Sequence, residues 1–275
     1  MALSAPFRPW WLAAAALCSA GVQAADPESA PTKATPRWEG AVGVSVLYSP
    51  TYLGSSDYRT RAVPGLFLRY GRFALTTASG FVTRSHDEVN RGVSADLVQR
   101  DNLRVTLSAR LDGGRDPDSD DFLRGLDRIR PTVRARLSAL RRVDNGWRLG
   151  AALSPDVLGR DGGMLADASV GYEWLLMPQL RANAAVGITA ADRRYMRSYF
   201  GVSAAESVRS GHAQYAPGAG LRDVGASFGL RADLGPHWVG YANAGVQRLL
   251  GPTLDSPLTR GRSGWSGSVG LAWRF

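Results

Sequence analysis

Beyond residue 37 the chain alternates apolar and polar positions with a period of two, in one stretch after another. That period belongs to extended strands, whose successive side chains point to opposite faces. Residues 103–111 show it cleanly. Leu103, Val105, Leu107, Ala109 and Leu111 share one side; Arg104, Thr106, Ser108 and Arg110 share the other. Residues 180–189 set Leu180, Ala182, Ala184, Val186 and Ile188 against Arg181, Asn183 and Thr189. Segments 129–139 and 147–154 place Arg130, Arg134, Arg136 and Arg148 on their polar sides. The last eleven residues run Trp265, Gly267, Val269, Leu271, Trp273 and Phe275 between small or polar neighbours.

The pattern predicts twelve strands, near 38–48, 58–70, 72–80, 91–99, 102–111, 129–141, 147–155, 166–175, 180–189, 222–234, 237–248 and 265–275. Short connections carry turn chemistry at Gly71, Asp101, Val143-Asp144-Asn145-Gly146, Met177-Pro178 and Gly235-Pro236. They alternate with longer ones at 49–57, 81–90, 112–128, 156–165, 190–221 and 249–264. No stretch after residue 24 has the run of ~18 apolar residues that a spanning helix needs. An even strand count with alternating short and long connections fits an all-β transmembrane antiparallel up-and-down barrel, with periplasmic turns and extracellular loops. A secreted β-sandwich also alternates, but with its apolar face buried. Periodicity alone leaves the buried face open. Aromatic residues near strand ends (Trp38, Tyr48, Tyr58, Tyr70, Trp147, Tyr172, Trp174, Trp238, Tyr241 and Trp265) suit the two interfacial girdles of a barrel and favour it.

The N-terminus reads as a targeting segment. Arg8 precedes an apolar run from Trp10 to Ala20, and Val22-Gln23-Ala24 is an A-x-A-like cleavage site, so 1–24 is expected to be a removed signal peptide. Residues 25–37, polar with three prolines, are expected to form a flexible periplasmic lead, and 38–275 the barrel. The one cysteine, Cys18, falls in the leader, which excludes a disulfide framework in the exported part.

Charge then becomes informative. There are 33 basic residues against 24 acidic, and every basic residue except Lys33 is Arg. Such a balance raises nucleic acid as a partner. These arginines alternate along strands of an exported chain instead of forming one stripe, so nucleic acid is not expected; membrane lipid and lipopolysaccharide are. An Arg facing lipid near the midplane costs about 2–4 kcal/mol. Arg104, Arg110, Arg134, Arg136, Arg148, Arg181, Arg231 and Arg274 are therefore expected to face the lumen. Lumenal acids are expected at Glu39, Asp96, Glu173 and Asp233, too few for every Arg to have its own. An ion-paired lattice that rigidifies the barrel is one reading; an anion-leaning pore is the other.

Other chemistry is sparse. His86 and His212 fall in predicted loops near Ser85, Asp87 and Ser210, but adjacency in sequence is not a catalytic hydrogen bond. His237 falls at a short turn. The run Asp116-Pro117-Asp118-Ser119-Asp120-Asp121 has Asp where an EF-hand needs its sixth-position Gly and twelfth-position Glu. No catalytic, cofactor or metal-binding residue is assigned.

Four stretches carry a family resemblance. The segment Trp38 to Tyr70 contains Tyr48-x-Pro50-x-Tyr52-x-Gly54-Ser55-x-x-Tyr58-Arg59 and a Pro-containing strand. It resembles the opening of the MipA/OmpV outer-membrane family. Arg194 to Val202, Tyr215 to Asp223 and Arg248 to Leu258 look like later segments of that family, in the same order, whereas 81–128 resembles it least. The resemblance implies a monomeric outer-membrane barrel. One member is understood as a scaffold linking a lytic murein transglycosylase to a bifunctional peptidoglycan synthase; others are connected with antibiotic susceptibility, osmotic response or adhesion. The expectation is a structural or scaffolding protein, not an enzyme. The alternative is a narrow anion-leaning channel with loop 190–221 as constriction.

Overall fold

The computed structural model describes residues 38–77 and 92–275. The expected leader 1–24, the lead 25–37 and the whole of loop 81–90 with His86 lie outside the described residues. Twelve strands follow one another: β1 (Trp38–Pro50), β2 (Tyr58–Tyr70), β3 (Phe73–Thr76), β4 (Gly92–Gln99), β5 (Leu103–Asp112), β6 (Thr132–Arg142), β7 (Trp147–Pro155), β8 (Met164–Met177), β9 (Leu180–Ala191), β10 (Gly220–Asp233), β11 (Trp238–Leu249) and β12 (Ser263–Arg274). Each pairs antiparallel with its neighbour in sequence, and β1 pairs with β12, so the sheet is a closed barrel. Closure gives every described strand a neighbour on each side, the condition for crossing hydrocarbon with strands.

The sides of the strands settle the question that periodicity left open. Val42, Val44 and Val46 of β1 are 43%, 52% and 44% exposed, while Ala41 and Ser45, of the opposite parity, are each 2% exposed. Leu107, Leu137, Leu153, Val186, Phe228, Val246 and Val269 are likewise exposed. Buried strand positions include Arg69, Asp96, Arg104, Thr106, Arg134 and Ser154. A protein folded in water would have reversed that polarity. An apolar outside around a polar inside is a surface for lipid.

Two aromatic groups mark the ends. Tyr48, Tyr58 and Trp265 cluster where the long connections leave, with Tyr48 4.9 Å from Trp265. Trp38 meets Tyr70, and Trp147, Tyr172 and Trp174 stack in series, beside the short turns. Tyr241 departs from its expected place. It is 8% exposed, shares a hydrogen bond with Ser45 on the buried side, and lies over Gly270, where a Cβ would meet its ring. At the turn before Trp147, Asn145 (φ 64°) and Gly146 (φ 90°) take the left-handed conformation that Asn-Gly supplies at little cost.

The described long connections are folded rather than loose. Within the stretch expected as a loop, two helices form: α1 (Arg193–Phe200) and α2 (Ala204–Ser210). The side chain of Asp192 caps α1 by accepting from Tyr195 N at 2.8 Å. Ser203 and Glu206 form a reciprocal capping box on α2, and Gly211 closes it at φ 76°. Tyr195, Met196 and Phe200 from α1 pack with Leu165, Ala191 and Leu249 at the strand ends. Leu123, Leu126, Val202 and Leu258 make a second apolar cluster from three different connections. Burying these side chains gives the cap a core of its own.

Candidate functional site

The buried side of the barrel carries a lattice of guanidinium and carboxylate groups. On the short-turn half, Asp96 of β4 accepts from Arg104 Nε at 2.9 Å and Nη2 at 2.6 Å. Thr106 Oγ1 donates to it at 2.9 Å and Arg69 Nη1 approaches at 3.5 Å. One carboxylate thus holds two arginines and a hydroxyl, and the two-pronged Arg104 contact is the strong geometry for such pairs. Glu173 is shared by Arg148 and Arg181, both at 3.4 Å. Asp233 is shared by Arg274 at 2.9 Å and Arg231 at 3.6 Å.

A second knot joins wall to cap. Arg134 has no exposed surface. Its Nε donates to Asp112 Oδ2 at 2.6 Å, its Nη1 to the carbonyls of Ser154 and Gly163, and its Nη2 to Gly162 O. The guanidinium carbons of Arg134 and Arg222 each sit 5.4 Å from the Tyr195 ring. Tyr195 stacks on Tyr199 at 4.4 Å, and Tyr199 Oη donates to Asp112. Burial, then the Asp112 charge, pushes the Tyr199 phenol well above its ordinary pKa, so it stays a donor. Gly163 (φ 58°) is needed where 156–163 passes under α1: a Cβ there would fall 2.3 Å from Tyr195 N.

Among the eight arginines named from the sequence, Arg104 and Arg134 are buried and the other six are half-buried. Seven lie within ion-pair distance of a carboxylate. No such pair forms at Arg110 among the described residues. Sharing explains part of this economy. The rest comes from two acids the sequence reading left out: Asp112 on Arg134, and Asp167 on Arg136 at 2.5 Å.

Among the described residues, His212 and His237 do not assemble a catalytic pair. His212 Nε2 faces Phe122 O at 2.8 Å, and His237 Nδ1 faces Arg274 O at 3.0 Å. The acidic run is tied into its own loop: Arg128 bridges Asp116 and Asp118, Asp120 accepts from Thr51, and Asp121 pairs with Arg124. Among the described residues no group of three His, Cys, Asp or Glu is placed to hold a metal.

Glu206 fastens α2 to the connection between β5 and β6. It accepts from Asp127 N at 2.9 Å and Ser203 N at 2.8 Å, and Arg115 Nη2 donates to it at 3.3 Å. Burial alone would raise its pKa. The backbone N–H groups and the Arg115 charge outweigh burial and hold it below its ordinary value of 4.5. A depressed folded pKa stabilises the cap above the unfolded value and is lost as pH falls through the folded one. Amide exchange at Asp127 and Ser203, corrected for intrinsic rates, is therefore expected to accelerate as pH drops below 4.5, and Glu206→Gln to flatten that dependence. Equal protection at pH values well above and well below the ordinary carboxylate range would refute the link.

A closed twelve-stranded barrel with lipid-suited outside, polar inside and a folded cap is an integral outer-membrane barrel protein. Comparison agrees and narrows this. The family model described as MltA-interacting protein MipA matches residues 42–275, and the chain belongs to that family. It is 26% identical to the "Putative outer membrane protein YiaT" of Escherichia coli (strain K12), over 86% of this chain and 91% of that one. It is 29% identical to the "MltA-interacting protein" of the same strain, over 57% of this chain and 62% of that one. Neither name describes a catalytic activity. Among solved structures, the outer membrane channel DcaP of Acinetobacter baumannii aligns with a TM-score of 0.40 at 11% identity, covering 89% of this chain and 99% of that one. That likeness is too distant to bear on function.

Proposed function

We propose that this protein is a monomeric structural barrel that holds peptidoglycan-remodelling enzymes, a lytic transglycosylase and a peptidoglycan synthase, at the periplasmic side of the outer membrane. The observation that carries this reading is the cross-braced wall and cap: seven of eight arginines are ion-paired, and an apolar-cored cap sits at the long-connection end. A barrel packed this way is suited to being a rigid anchor more than a wide pore. The eight arginines face its lumen in this account, as matched charge that stiffens the wall. The name of the Escherichia coli MltA-interacting protein supports the partner class. Exposed Arg193, Arg194 and Arg197 on α1 suit lipopolysaccharide phosphates. The account needs no catalytic residue, cofactor, metal or nucleic acid.

Short turns limit what the periplasmic face offers, so the reach falls to residues 25–37. Affinity purification from cells is expected to recover a lytic transglycosylase with the intact protein and to lose it when 25–37 is deleted, while the barrel still shows heat-modifiable migration. Recovery unaffected by the deletion would move the contact to the turns. No recovery in either case would sink the scaffold.

One observation favours a second reading, a narrow channel. A chamber of about 410 Å³ lies beneath the cap, bordered by Gly187, Thr189, Gly225, Ser227, Gly245 and Gln247. Ser169 and Ser227, of the same parity as buried strand positions, are exposed, which supports a water-filled space inside the wall. Conductance steps in planar bilayers, with reversal potentials biased to anions, would favour this reading; a silent, folded barrel would exclude it.

A further inference from the structure

Midway along the wall built by β5 to β8, a niche of about 110 Å³ opens between Arg104 and Arg136. Thr106, Ser138 and Ser169 bring hydroxyl groups to it, and Asp167 one carboxylate. Gly150 keeps it open: a Cβ there would fall 2.6 Å from Ser169 Oγ. Arg136 engages only Nη1, with Asp167 Oδ2 at 2.5 Å and Ser154 Oγ at 3.0 Å. Its Nε and Nη2 make no hydrogen bond among the described residues. Those two N–H groups form the edge of a guanidinium that meets a planar carboxylate with two parallel bonds.

The surroundings favour an anion. Among the described residues, Arg104, Arg110, Arg134 and Arg136 gather here around Asp96, Asp112 and Asp167. Arg110, which has no ion pair among the described residues, adds its field to that of Arg136. The niche also has an approach. Ser169 borders both it and the chamber beneath the cap, where Ser227 and Gln247 offer uncharged hydrogen-bonding side chains and Asp223 is the one carboxylate of the lining among the described residues. A ligand with one acidic end and a hydroxylated body matches both compartments.

We propose that the edge of Arg136, with the hydroxyl of Ser169, binds the carboxylate of a small hydroxylated acid whose uncharged body occupies the chamber. This rests on the lumen reading of the buried strand faces. It deepens the channel reading by naming the solute class, and it stands equally for a barrel that binds without conducting.

The test is calorimetric titration of the protein purified from outer membranes, with glucuronate, glucose and inorganic phosphate as probes. Saturable binding of glucuronate and none of glucose is expected. Arg136→Gln should weaken glucuronate at least tenfold, and so should Gly150→Ala, which fills the niche and serves if the first variant does not fold. Arg260→Gln, at the cap rim beside Asp57, should leave binding unchanged. Glucuronate affinity unaltered by both niche variants overturns the proposal, as does phosphate binding more tightly than glucuronate. Labelling of Ser169→Cys by a membrane-impermeant maleimide, with the parent protein as blank, separates the two levels. Labelling without glucuronate binding overturns the site and leaves the lumen reading standing, whereas a folded but unlabelled variant removes both.

Discussion

Arg134→Met is expected to destabilise the barrel by about 3–5 kcal/mol, the range for removing one partner of a buried, hydrogen-bonded charge pair. Arg134 has no exposed surface and serves four acceptors: the Asp112 carboxylate and three carbonyls of 154, 162 and 163. Met fills much of the volume and satisfies none of them, so the loss reports unpaired acceptors more than a cavity. The cost should fall on the cap first, because Asp112 also receives Tyr199 Oη and Arg134 lies against the Tyr195 ring. Urea unfolding in lipid vesicles measures the total, and protease sensitivity within 192–219 locates it. The double variant Arg134→Met with Asp112→Asn should cost less than the sum of the singles, since the charge left behind by either is then gone. A loss under 1 kcal/mol would mean that the knot does not bear on stability.

The second large effect is a contrast between two arginine insertions. Val269→Arg, at mid-strand in β12 where Val269 is 58% exposed and pairs with Val46 and Ala242, is expected to cost about 2–4 kcal/mol in a bilayer. Ser227→Arg, in β10 on the opposite parity, should change stability by no more than about 0.5 kcal/mol, as surface substitutions do. Both residues are exposed, so exposure alone predicts no difference. What separates them is whether hydrocarbon or water lies outside the side chain. Equal costs would undo the assignment of the two faces.

Strands were the legible part because their signal is local. β2 and β7 begin and end where alternation and turn residues place them, and β8 extends two residues beyond expectation at each end. The helices of the cap were not legible by period. Eight and seven residues give about two turns each, too few for a 3.6-residue repeat to emerge from a polar stretch. Their end signals were present all the same: Asp192 before Tyr195, Ser203 three residues before Glu206, and Gly211. Tyr241 was misplaced by counting closeness to a strand end without parity. It stands three residues from Trp238 in one strand, so the two must face opposite ways. The arginines were legible as a set, since burying charge in lipid is costly. Asp96, Glu173 and Asp233 were legible as their partners, but two others were not. Asp112 sits at a strand terminus and Asp167 near the start of β8, and pairing them with Arg134 and Arg136 needs the register of four strands.

The ring closes through the pairing of β1 with β12, from Ala41 with Arg274 to Tyr48 with Gly267. Every other strand pair can form between neighbours in sequence as soon as both exist. This one joins the first strand of the barrel to the last. Until the last strand is in place the growing sheet carries two raw margins, each able to zip onto another molecule. Biogenesis therefore has a checkpoint built into its connectivity. A copy cut short before residue 263 has no partner for β1, cannot seal, and is left as a substrate for holding factors and proteases in the space it was meant to leave.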